Sequence, residues 1–188
     1  MDNSALIIHQ TKKWISDVVL GCNFCPFAAR VVKEDSIHFQ VETGASLEIC
    51  LQAFLNECIR LDANENIETS FIIFPETFKR FEDYLSLVSL SERLIEEEGY
   101  EGTYQVASFH PLYCFADESP DDAANYTNRS VYPMLHLLRE ERIEQALSRY
   151  TDASGISERN IQFAREKGTV YMKMLREACY TVNMPPVV

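Results

Sequence analysis

The run Thr69-Ser70-Phe71-Ile72-Ile73-Phe74 constrains this chain most. It is short, continuous and apolar, and Pro75 closes it. A run of that length and composition reads as a strand buried on both faces. Ahead of it, Ile37, Phe39 and Val41 alternate with His38, Gln40 and Glu42, which predicts a strand over 36–43. Between the two, Ser46 caps a predicted helix over 46–63, with Leu47, Cys50, Leu51, Phe54, Leu55 and Cys58 on its buried side. After Pro75, Thr77 is placed to cap a helix to about residue 98, and Gly99 stops it. A third strand is predicted over 103–108. Strands separated by helices imply crossover connections and an at least partly parallel sheet.

The flanks read as helical. Residues 5–20 carry Leu6, Ile7, Trp14, Val18 and Val19 at roughly helical spacing, with Asn3 or Ser4 as cap and Gly21 as stop. Ser119-Pro120-Asp121-Asp122 has the make-up of a helix start, and residues 125–130 read as a turn, so that helix must be short. Pro133 is expected to open a firm helix over 133–150, and a last helix is expected over 157–179. Residues 184–188 are expected to be a loose tail. The predicted fold is α/β (or α+β): a small three-stranded sheet covered on both faces by helices, with extra C-terminal helices, in one domain spanning 1–188.

Charge and hydropathy remove several function classes. A net charge of -12 leaves no basic face for nucleic acid or for an anionic membrane. No apolar run approaches the ~18 residues of a membrane span. No basic segment precedes an apolar one near Asp2, so no signal peptide is expected and the chain is predicted to be cytoplasmic. Its six cysteines are then expected to be mostly free. With six glycines there is no Gly-rich phosphate cradle.

The polar groups that can do chemistry gather in 106–141. His110 lies just past the third predicted strand, where ligands bind in open α/β sheets. His136, Arg139 and Glu140 would share one face of the predicted helix. Glu140 could then hold the imidazole tautomer and raise its basicity, though a surface ion-pair face has the same spacing. Asn125, Asn128 and Arg129 precede that helix and could bind a carboxylate or phosphate, or simply hold a turn. Upstream, Cys25 precedes Pro26, a proline suited to a first helical position. A thiol at a helix start is pushed toward thiolate. Cys22 and Cys25 form one CxxC with no second pair, which argues against a four-cysteine zinc site. Cys50 and Cys58 lie on an apolar face and read as core.

Four motifs together resemble an uncharacterised bacterial family classed as a domain of unknown function. They are Cys25-Pro26-Phe27-Ala28, the segment from Gln105 to Pro111, the segment from Asn125 to Ser130, and Pro133-x-x-His136-x-Leu138-Arg139-Glu140. Val131 stands where the family usually has Pro, and Phe24 where it has Leu; Cys22 is outside the pattern. The resemblance implies that Cys25, His110, Asn125, Asn128, Arg129, His136, Arg139 and Glu140 belong to one shared design. It implies no reaction.

Three functions fit these residues. The first is a cytoplasmic enzyme for a small anionic molecule. Its nucleophile or redox thiol is Cys25, its base is His110 or His136 (supported by Glu140), and Arg129, Arg139, Asn125 and Asn128 bind substrate. The second is a zinc-type metal site using Cys25, His110 and His136 with one position open. The third is a non-enzymatic scaffold or interaction protein in which the polar motif is a structural network.

Overall fold

In a computed structural model of the chain, residues 3–148 and 155–181 are described. The sheet has four strands, β1 (Ile37–Val41), β2 (Thr69–Ile73), β3 (Tyr104–Phe109) and β4 (Met134–Arg139), in the order β1-β2-β4-β3. β1 and β2 are parallel, while β4 lies antiparallel between β2 and β3. Three of these strands match the expected ones. The fourth replaces the front half of the helix expected over 133–150. Pro133 precedes a strand, and helix α5 (Glu140–Leu147) starts only at Glu140; the expected end at residue 150 lies outside the described residues.

The reason is burial. Met134, Leu135 and Leu137 are fully buried, because β4 is covered on both faces and paired on both edges. Such a strand has no polar face to show, so it reads as continuous apolar sequence, as an internal helix would.

Alternation along the strands sorts their side chains to two faces. On one face, α3 (Leu47–Ala63) and α4 (Phe81–Glu97) pack Cys50, Phe54, Cys58, Leu61, Tyr84, Leu87 and Ile95 against Ile72, Leu135, Leu137 and Tyr104. The α3 residues recur at i, i+4, i+8 and i+11, the spacing of one helix face. Ser46 accepts the amide hydrogen of Ile49, as an N-cap does. The second helix starts at Phe81 rather than beside Thr77.

The other face is built from the two ends of the described chain. Helix α1 (Ser4–Trp14) continues into a π-helical segment (Ile15–Leu20) and turns at Gly21. Its Ile7, Trp14, Ile15 and Val18 meet Phe71, Ile73 and Met134 of the sheet. Ala164, Met172 and Cys179 join them from the C-terminal helices. The helix expected over 157–179 is divided. α6 (Ile156–Lys167) and α7 (Thr169–Glu177) meet at Gly168, and a 3-10 turn (Ala178–Tyr180) follows. Gly168 has φ 80°, a left-handed conformation that breaks a helix and favours glycine. The helix expected from Ser119-Pro120 is a 3-10 turn (Ala123–Thr127) capped by Asp122, and it contains Asn125. Residues 184–188 lie outside the described residues. No helix among the described residues is long and apolar enough to cross a membrane.

Candidate functional site

Helix α2 (Ala28–Lys33) is short and buries no residue, so the α1 side of the sheet is incompletely roofed. A cavity of about 450 Å³ opens there. Its floor is Ile37, Thr69, Phe71, Gln105, Ala107, Phe109, His136 and Leu138, one face of all four strands. Its roof is Trp14, Ile15 and Val19, the turn from Cys25 to Ala28, and Ile143 and Ala146 of α5. Three positions raised in the sequence, Cys25, His136 and Arg139, therefore border one space. A second cavity of about 360 Å³ adjoins it, sharing Val19, Cys25, Phe27 and Phe109.

His136 stacks flat on Phe71, its partner across β2, with ring centroids 3.9 Å apart. Its Nε2 lies 2.6 Å from the Thr69 hydroxyl, which donates to the Leu137 carbonyl at 2.6 Å. Burial pushes its pKa down to about 3, so the ring is neutral at physiological pH. A neutral imidazole held that way is a hydrogen-bond acceptor and a weak base.

Cys25 is partly buried. Pro26 does not open a helix directly behind it. Two turn residues intervene, and α2 begins at Ala28 with Phe27 as its cap. Burial pushes the thiol above its ordinary value, and the backbone amides of Phe27 and Ala28 oppose the shift. The resting group is a thiol rather than the thiolate expected from the sequence.

Of the remaining candidates, Arg139 also borders the first cavity and Asn128 the second, but each commits its side chain to backbone carbonyls, and the others serve loops. His110 is 1% exposed, and both its nitrogens serve the backbone: Nε2 bonds the Phe78 carbonyl at 2.7 Å and Nδ1 accepts from Leu112 at 3.0 Å. It thereby holds Phe78, whose φ of 55° is unusual for a bulky residue. Asn125 is fully buried and spans two loop segments, accepting from the amide of Phe115 and donating to the carbonyl of Ser119. Asn128 donates to the Ser108 carbonyl. Arg129 donates to the carbonyls of Tyr113 and Pro120 and lies over Tyr126.

Arg139 projects to the opposite sheet face from His136, because three residues along a strand reverse the side. There it donates to Leu61, Asn64 and Ile67 carbonyls and closes the end of α3. Glu140 starts α5, its amide bonded to Thr103. The shared helical face of His136, Arg139 and Glu140 does not exist. Among the described residues, no three His, Cys, Asp or Glu side chains are grouped to hold a metal. Cys25 and His136 have the chemistry of zinc ligands, but the proposed third ligand, His110, has no free nitrogen to offer.

One participant in the site, and one polar cluster outside it, were not legible in the sequence. Thr69 looked like the plain start of an apolar strand, and only its register with β4 gives it a role. On the other face, the buried Glu57 carboxylate accepts from Ser70 at 2.6 Å and Arg60 at 2.9 Å, with His38 Nδ1 at 2.7 Å. That cluster ties β1, β2 and α3 together and lies away from the cavity.

Fold and site define a small mixed α/β protein with an apolar cavity over one sheet face. The chain belongs to the family described as "Protein of unknown function (DUF1415)", whose model matches residues 6–174. No curated protein and no solved structure matches it.

Proposed function

We propose that this protein is a cytoplasmic enzyme for a small, mainly apolar molecule, with the Cys25 thiol as the reacting group. One observation carries the reading: Cys25 and His136, far apart in sequence, line the same cavity of about 450 Å³. Cavities of this size, mainly apolar with a few polar groups, are the usual small-molecule sites. An uncharged ligand fits better than the anion suggested by the sequence. Arg129 and Arg139 are committed to backbone carbonyls. At the cavity mouth, Arg30 and Arg142 are answered by Glu68 and Glu34.

Trp14, the single tryptophan, lines the cavity and reports on it. Titration with small alkylbenzenes should change its fluorescence and slow iodoacetamide labelling of Cys25, read by peptide mass spectrometry. Labelling unaffected by a ligand that shifts Trp14 would separate Cys25 from the site. The scaffold reading then takes over, and it has support of its own: His110, Asn125, Asn128, Arg129 and Arg139 all spend hydrogen bonds on backbone.

A further inference from the structure

Three groups at the sheet surface fix one proton. The Thr69 hydroxyl is 2.6 Å from the Leu137 carbonyl and 2.6 Å from His136 Nε2. A hydroxyl has one hydrogen to give, and a carbonyl oxygen has none. If Thr69 gave its hydrogen to the ring, its own lone pairs would face those of the Leu137 oxygen at 2.6 Å. The arrangement is satisfied only when Thr69 donates to Leu137 and His136 Nε2–H donates to Thr69. The network thus assigns the tautomer. Nδ1 is left with a bare lone pair.

That lone pair has no protein partner among the described residues. It is also not sealed in: the buried side-chain atoms without a partner among the described residues are those of Thr77, Ser91 and Arg176, and Nδ1 is not one of them. His136 lines the cavity, so Nδ1 opens on it. The walls around the ring are apolar: Phe71 stacked beneath it, Phe109 at 6.1 Å between centroids, and Leu138 and Ala107 nearby. A lone acceptor among apolar walls selects for a ligand group that donates, because an apolar group placed there leaves the acceptor unsatisfied.

We infer that the cavity takes a ligand with an apolar body and one neutral donor, a hydroxyl or an N–H, which it gives to His136 Nδ1, and that Thr69 is the positioning residue that sets this polarity. The inference rests on the proposed use of the cavity and adds the ligand's chemical class. Thr69 acts through the imidazole and need not touch the ligand. An anion would be refused at this point, having no hydrogen to donate.

The test uses 4-propylphenol and its methyl ether, which share an apolar body and differ in the donor. Both are titrated against the full chain by Trp14 fluorescence and calorimetry. The phenol should bind about tenfold more tightly, the value of one hydrogen bond to an otherwise unsatisfied acceptor. That preference should collapse in Thr69→Val and persist in Thr69→Ser, which keeps the hydroxyl. Nitrogen-15 spectra of the ligand-free protein supply a second reading that needs neither variant nor ligand. His136 Nε2 should carry the proton, and Nδ1 should show the signal of a bare nitrogen. Equal binding of the two probes overturns the inference and leaves the cavity reading intact. Failure of both to bind overturns both. A protonated Nδ1, or a phenol preference that survives Thr69→Val, overturns the role of Thr69.

Discussion

Acid should unfold this protein in part through His136. Burial lowers the folded-state pKa of that ring from 6.5 to about 3. The unfolded chain therefore takes up the proton first as pH falls. Stability from the neutral buried ring is complete above about pH 6.5, declines below it, and levels off near pH 3. With those two values, lowering the pH from 7 to 5 costs the folded state about 2 kcal/mol through this residue. That figure is an upper bound, because the open side of the cavity lets water reach the ring. The comparison protein is His136→Phe, which keeps a flat ring on Phe71 and cannot titrate. Urea unfolding of both at pH 7 and pH 5 gives the difference directly, with m-values checked for constancy. His110, also depressed by burial, is present in both proteins and cancels. The wild type should lose about 2 kcal/mol more than the variant over this interval. Equal losses would refute a neutral, desolvated His136, and the acceptor role of the ring with it.

Two further substitutions separate structure from site. Arg139→Met removes a guanidinium that closes α3 through three carbonyls and lies 5.8 Å from the Tyr104 ring. It should cost about 3 kcal/mol in urea unfolding while leaving Cys25 labelling of the folded protein unchanged. His110→Ala empties a buried ring position and takes the partner from the Phe78 carbonyl and the Leu112 amide. A loss of about 3 kcal/mol is expected, again with normal Cys25 labelling; altered labelling in a protein of wild-type stability would restore His110 to the site.

The sheet was largely legible because its strands announce themselves in different ways. β1 alternates, β2 is a short apolar run closed by proline, and the helix between them, α3, carries its Ser46 cap. β4 was misread for a physical reason. Met-Leu-His-Leu-Leu-Arg is rich in good helix formers and has no alternation, since both its faces are buried. Pairing with two neighbours outweighed local preference, and no single-chain pattern records that pairing. The same error created the apparent His136–Glu140 face. In the candidate site, Cys25 and His136 line one cavity, and the strand register that brings His136 to that face leaves no mark in the local sequence. Polar residues clustered in sequence turned out to be the ones stitching loops to backbone. The Lys167-Gly168 break was a stop signal of the ordinary kind, hidden inside a long helical pattern.

The position of β4 also sets a timetable. The two strands it joins, β2 and β3, do not touch each other, and β3 pairs with β4 alone. On the ribosome, the chain up to residue 109 emerges with α3 and α4 able to form, but with one edge of β2 bare and β3 unattached. Neither gap closes until residue 139 has cleared the exit. For that interval the nascent chain displays the open strand edge that finished proteins hide. The wedge that completes the sheet is thus the last of its strands to be made, and a ribosome stalled before it would leave an adhesive half-sheet for chaperones to shield.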